Sequence, residues 1–228
     1  MILGITGSIG TGKSTVSRLF EKKGAIRIDA DALAHEAIEK GRTPYRSVVR
    51  FFGKRILRGN GEIDRGKLAR IVFKNRKILE ALNARVHPYV LRRIMEEIRR
   101  VLRRKKGRMI VVEVPLLHEK HLSAMFDKVL TVSCKGSVQE RRWVKGGRRL
   151  GELKARRASQ LPLSYKERKS DFIIDNSRSI RETNAQVNRI WRIIEAQRSL
   201  GLGGLGIHSR KEREKDGRTK DRNRSNTR

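Results

Sequence analysis

The 228-residue chain has one cysteine, four prolines, few aromatics and no apolar run long enough to cross a bilayer. The lone Cys134 rules out a disulfide within the chain, which fits a reducing compartment. Its place at the end of the run KVLTVSC marks it as a core residue. A spanning helix needs about 18 to 20 consecutive apolar residues, and none is present. The N-terminus enters a strand-like segment directly, without the basic and apolar regions of a secretory signal. A cytoplasmic protein with no membrane partner is therefore expected. Trp143 and Trp191 read as packing groups, not base-stacking platforms.

Acidic residues are also scarce. There are 24 Asp and Glu against 56 Lys and Arg, a formal net charge of +32. Such a balance favours polyanionic partners (nucleotides, nucleic acid, an anionic membrane surface) without choosing among them. The arginine-rich stretch 92–106 reads as a solvated helix face. From Gly201 onward the periodicity disappears, and residues 201–228 read as a basic disordered tail able to touch nucleic acid nonspecifically. The tail holds nine of the 56 basic and four of the 24 acidic residues, so residues 1–200 keep an excess of 27.

The rest of the chain alternates. Near-continuous apolar runs at 2–6, 25–29, 109–114, 128–134 and 172–175 read as buried parallel strands. Between them lie helical patterns: 14–23, a region starting near Pro44 and ending at Gly53, 65–74 capped by Asp64, 77–106 with a break near Pro88, a basic stretch 137–169, and 179–198. Residues 56–63 carry a GNG turn and read as a small hairpin or tight loop. Ser179 and Glu182 form a capping box before a stripe of Ile180, Val187, Ile190, Trp191 and Ile194. This order implies a three-layer α/β fold with a five-stranded parallel sheet. The long helical stretch between the second and third strands implies an inserted helical subdomain, over the sheet edge where such folds bind ligands.

The first strand runs into GSIGTGKST, residues 7–15, which contains the G-x-x-x-x-G-K-S/T pattern. Gly10 and Gly12 let the backbone curl so that its N–H groups, including that of Thr11, face phosphate oxygens. The next helix adds its positive end. Lys13 reaches the outer phosphates, Ser14 supplies a hydroxyl ligand for Mg2+, and Thr15 can hydrogen-bond a phosphate. A nucleoside triphosphate, ATP with Mg2+, is the expected ligand. The second strand ends in Asp29-Ala30-Asp31. Asp31 is placed to orient and deprotonate an acceptor hydroxyl, and Asp29 to help hold the metal. Either one could instead cap the following helix. His87, before Pro88, reads as structural or substrate-contacting in preference to a base.

With GITGSIGTGKST (4–15), the chain carries IDADALAHEAI (28–38), FFGKRILRGNGEIDRGKLARIVF (51–73), the His87-Pro88 pair, VVEVPLLHE (111–119), ARRASQLP (155–162) and DFIIDNS (171–177). In order and spacing this set resembles the dephospho-CoA kinase family over about residues 1–198. The resemblance implies a P-loop fold of the nucleoside-monophosphate-kinase type. It spans residues 1–200, with a core of 1–40 and 107–200, a substrate subdomain at about 41–106 and a lid at about 139–160. It implies ATP-dependent phosphorylation of the ribose 3′-hydroxyl of dephospho-CoA, the last step of coenzyme A synthesis. Asp31 would be the catalytic aspartate and Lys13 and Arg141 its catalytic partners. Residues 10–15 would hold ATP, Arg156 its phosphate charge and Asn176 its adenine. Arg65, His87, Pro115, Leu116 and Leu117 would shape the acceptor pocket. Lys145 stands where the family usually has a second lid arginine, and His118 where it has an apolar or aromatic residue.

Overall fold

Alternating apolar runs and amphipathic stretches give a chain order of β1 (Ile2–Thr6), α1 (Lys13–Lys22), β2 (Ile26–Asp29), α2 (Ala30–Ala37), α3 (Thr43–Phe52), α4 (Arg65–Val72) and α5 (Arg76–Arg104). Then follow β3 (Ile110–Glu113), β4 (Lys128–Ser133), α6 (Gly136–Lys145), α7 (Leu150–Ala158), α8 (Leu163–Arg168), β5 (Phe172–Asp175) and α9 (Ile180–Ser199). The computed structural model describes residues 1–104 and 107–200. The basic tail expected at 201–228 lies outside the described residues. No helix among the described residues is long and apolar enough to cross a membrane.

The five strands form one sheet in the order β2-β3-β1-β4-β5, with every pairing parallel. Side chains alternate between its faces. Ile110 and Val112 of β3 join Val48, Phe52, Val90 and Ile94 in a core under α2 to α5. Leu3, Ile5 and Val111 join Val16, Phe20, Val187 and Ile190 in a second core under α1 and α9. Gly4 stands in the middle of β1 because its neighbours fill the side-chain space. An added Cβ would lie 2.8 Å from Leu117 Cδ1 and from Phe126 Cγ.

Local signals set the helix ends. Pro44 sits in the first turn of α3 and Gly53 ends it with φ +76°. Asp64 accepts from the Lys67 amide at 2.9 Å and starts α4. The tight loop before it closes with an antiparallel bridge between Leu57 and Ile63. Ser179 and Glu182 cap α9 reciprocally.

Two expectations need correction. The helix around Pro88 is not broken: α5 runs from Arg76 to Arg104 as one element. Val86, Tyr89, Val90, Ile94, Ile98 and Val101 are buried along it, so burial on both sides of the proline outweighs one lost hydrogen bond. Ile180 does not belong to the buried stripe of α9; it is 58% exposed at the first helical position. The basic stretch 137–169 is three helices, α6, α7 and α8.

Candidate active site

Register brings the chemistry together. Ile5 pairs with Glu113 and Asp29 pairs with Glu113, so β1, β2 and β3 end side by side. The loop after β1 turns on Gly7, Gly10 and Gly12, with φ of +148°, +74° and +91°. Gly12 is the N-cap of α1 and makes no side-chain cap, which leaves the Lys13 and Ser14 amides at the start of α1 to face an anion, while the Thr15 amide donates to the Gly12 carbonyl at 3.0 Å. Lys13 is buried and its Nζ donates to the carbonyls of Gly7 at 3.3 Å and Ser8 at 2.9 Å. Burial lowers its pKa, while Asp31 and Glu113 pull it back up. Thr11 is fully buried, its hydroxyl donating to the Ser8 carbonyl at 2.9 Å. Thr15 is half-buried in the first turn.

Behind the loop lies a polar wall. The Ser14 hydroxyl donates to Glu113 Oε1 at 2.7 Å, and Ser17 donates to Glu113 Oε2 at 3.0 Å. Arg27 donates to Ser17 Oγ at 2.9 Å and pairs with both Asp29 and Glu113. Glu113 is 3% exposed and needs these donors, because an isolated buried carboxylate is costly. Glu113, Ser17 and Arg27 were not singled out from the sequence. The signal for Glu113 was present in MIVVEV: a carboxylate at the end of the apolar strand beside the P-loop strand.

The two aspartates after β2 diverge. Asp29 caps α2, its Oδ1 accepting from the amides of Asp31 at 3.0 Å and Ala32 at 3.2 Å, while Oδ2 meets Arg27. In this structure Asp29 serves as the cap, the alternative to the metal role expected for it, and Glu113 stands against Ser14. Asp31 instead opens into a cleft of about 840 Å³. Protein packed around its carboxyl raises the pKa; Lys13 opposes this, and Asp29 and Glu113 add to it.

Pro115, Leu116, Glu119, Lys120, Arg156 and Gln160 wall the same cleft. Arg156 lies 4.2 Å from the Phe73 ring centre and 5.7 Å from that of Trp143, and burial lowers its pKa. A smaller apolar annex of about 100 Å³ extends from Asp31, Pro115 and Leu116 to His87. His87 is half-buried, and burial with Lys120 nearby lowers its pKa.

Among the expected site residues outside the P-loop and Asp29, four line neither the cleft nor its annex. Leu117 is fully buried against Gly4 and Phe126 in the core. Arg65 is exposed at the start of α4, and Arg141 is exposed on α6; neither lines the cleft. Asn176 is buried behind the P-loop, its amide donating to the Thr11 carbonyl at 2.8 Å and its oxygen accepting from Thr183 at 2.8 Å. It braces the loop from behind with both ends of its side chain engaged. His118 is buried too, beside Ser123, Ser170 and the Tyr165 ring.

Among the described residues no three His, Cys, Asp or Glu cluster to hold a metal by themselves.

Comparison with known proteins gives the site its context. A family model for dephospho-CoA kinase matches residues 1–182. The dephospho-CoA kinase of Bacillus licheniformis is 38% identical over 199 residues, covering 86% of this chain and 98% of the relative. That of Geobacillus kaustophilus is 39% identical with the same coverage. The crystal structure of TT1252 from Thermus thermophilus superposes with a TM-score of 0.71 at 33% identity, covering 86% of this chain and 97% of that one. A dephospho-CoA kinase structure from Campylobacter jejuni gives 0.62 at 28% identity, with 85% and 96% covered. The parallel sheet, the P-loop and the carboxylate-edged cleft sit in the matched region, and the chain belongs to the dephospho-CoA kinase family.

Proposed function

We propose that the protein transfers the γ-phosphoryl group of ATP to the ribose 3′-hydroxyl of dephospho-CoA, giving coenzyme A and ADP. The observation that carries this reading is the placement of Asp31. Its carboxyl faces the cleft at the end of β2, within the field of the P-loop Lys13. There it accepts the proton of the attacking hydroxyl as the new O–P bond forms and the bond to the β-phosphate oxygen breaks. Its raised pKa makes it a better proton acceptor than an ordinary aspartate.

Residues 10–15 cradle the ATP phosphates with backbone amides, and Lys13 neutralises charge on the outer ones. For this it must leave the Gly7 and Ser8 carbonyls, which hold it in the loop. Ser14 and Glu113 fit a Mg2+ ion: they present hard oxygen donors 2.7 Å from each other. The ion would supply charge neutralisation on the phosphates. Pro115 and Leu116 with the apolar annex to His87 offer the acceptor its uncharged surface. Arg156 and Lys120 in the cleft offer cations to its diphosphate. Residues 139–160 act as the lid that excludes water and limits ATP hydrolysis.

The test is ADP release by the wild-type chain with ATP and Mg2+, with dephospho-CoA, a nucleoside or a 5′-hydroxyl RNA as acceptor. Stimulation by dephospho-CoA above the others supports the reading. Faster turnover of RNA ends overturns it.

A further inference from the structure

The segment read as the lid runs from Gln139 to Gln160, and both of its ends are tied to one residue of the P-loop. Gln139 on α6 donates from Nε2 to the Ile9 carbonyl at 2.8 Å. Gln160, just past α7, accepts on Oε1 from the Ile9 amide at 3.1 Å and from the Ser8 hydroxyl at 3.2 Å. Every backbone polar group of Ile9 is thus held by a lid glutamine. The chemistry fixes which end of each glutamine is used, because a carbonyl only accepts and an amide N–H only donates.

Both glutamines are themselves held. Gln139 is 3% exposed, with Oε1 against the Arg157 guanidinium. Gln160 is anchored through its neighbour: the Leu161 amide donates to Glu119 Oε1 at 3.0 Å. Glu119 pairs with the fully buried Lys166 at 2.7 Å, and Lys166 also donates to the Pro115 carbonyl at 3.0 Å. A continuous run of contacts therefore leads from the P-loop through Gln160 to the wall of the acceptor cleft.

We infer that Gln139 and Gln160 are positioning residues that clamp Ile9, fixing the P-loop curl for the nucleotide phosphates and making Ile9 the pivot on which the lid is hung. The inference rests on the phosphotransfer reading above for its kinetic consequence, but not for the clamp itself. Ile9 lies between Gly7 and Gly10, both at positive φ. A stretch so flexible has many unligated conformations, and two opposed hydrogen bonds select one of them. Loss of either bond should therefore weaken ATP more than it weakens the acceptor.

Opposite isosteric replacements test the idea. Gln160→Glu keeps an acceptor for the Ile9 amide, whereas Gln139→Glu removes the donor to the Ile9 carbonyl. Gln160→Met removes the acceptor while keeping the length. Exchange of the Ile9 amide with solvent, followed in the nucleotide-free full chain, reads the clamp directly. Protection is expected in wild type and Gln160→Glu and lost in Gln160→Met. In steady-state assays, Gln160→Met and Gln139→Glu should raise KM for ATP about two- to tenfold, the range of one net hydrogen bond, and Gln139→Glu, away from the cleft lining, should leave KM for dephospho-CoA unchanged.

Wild-type exchange of Ile9 and wild-type KM for ATP in Gln160→Met would overturn the inference. So would an equal rise in both KM values in Gln139→Glu, which would make the glutamines general scaffold. Failure of wild type to phosphorylate dephospho-CoA would overturn the reaction assigned above, and the exchange experiment would still decide the clamp.

Discussion

The wall behind the P-loop and the segment 139–160, proposed above as the lid, are built in opposite ways. In the wall, Ser14 and Ser17 of α1, Arg27 and Asp29 of β2 and Glu113 of β3 satisfy one another over short distances. In the lid, Arg141, Arg142, Lys145, Arg148 and Arg149 stand exposed on α6 and the turn after it, and only a few groups are tied down. Trp143 is the main anchor, buried, with its indole N–H on the Arg149 carbonyl at 3.0 Å and the Arg148 guanidinium 4.6 Å from its ring centre. The lesson is one of division. The wall is a preorganised electrostatic surface, where unpaired charge would be costly. The proposed lid keeps the cations of α6 and the turn after it in water, where an anion can recruit them at little desolvation cost.

Substitutions on either side should break this contrast differently. The largest effect is expected in the loop against the wall. Lys13→Ala should cut kcat about 10²- to 10³-fold, since it removes one preorganised cation from the phosphates. Steady-state ADP release measures it, and a change under tenfold would mean that the lid supplies the essential charge instead. Next comes the fit of loop to wall. A Cβ on Gly12 would sit 2.1 Å from Asn176 Nδ2, at a φ of +91°. Gly12→Ala should therefore destabilise the chain by about 1–2 kcal/mol from its backbone conformation alone, and by more through the collision. Chemical denaturation measures this; wild-type stability would show a soft wall.

In the lid the two arginines should separate. Arg156 lines the cleft and Arg141 does not. Arg156→Lys keeps the charge but loses the planar group that lies on Phe73, and should lower kcat clearly. Arg141→Lys should change it by less than about twofold, as for exposed charges generally. An equal loss in both would show that Arg141 swings inward. Smallest of all, Ser179→Ala removes the α9 cap far from the cleft. It should cost about 1 kcal/mol, or about 2–4 °C in Tm, with kcat untouched. Stability from this cap should also depend on pH. Hydrogen bonds from Ser179 lower the Glu182 pKa, so the contribution is present above the carboxyl's unfolded pKa and fades as pH falls through the folded one.

How far the sequence could be read follows the same division. The strands and the P-loop were legible to within a residue or so, because period and glycine placement dictate them locally. That Asp31 faces the cleft was legible from the strand that ends two residues before it. Asp29 was not decidable, since capping and metal binding ask for the same side chain, and the capping bonds become visible only in the fold. Glu113 was overlooked although its position was readable. Leu117 shares a motif with cleft residues yet turns inward, and Asn176 turns inward too, which depends on Gly4 and Thr11 across the fold. The continuity of α5 through Pro88 was hidden because local propensity opposes it and tertiary burial decides it.

The central claim is that Asp31 takes the acceptor proton while the P-loop holds ATP without its help. The most direct test is the pH dependence of kcat/KM for dephospho-CoA in wild type and Asp31→Asn, alongside ATP affinity in both. The Asp31 pKa is raised, so the wild-type acid limb should lie above the ordinary aspartate value of about 3.9, activity being lost as pH falls through it. In Asp31→Asn, kcat/KM should drop about 10²- to 10⁴-fold and the limb should vanish, with ATP affinity held within about twofold. An Asp31→Asn protein that keeps both the rate and the acid limb would contradict the account and move the base elsewhere in the cleft.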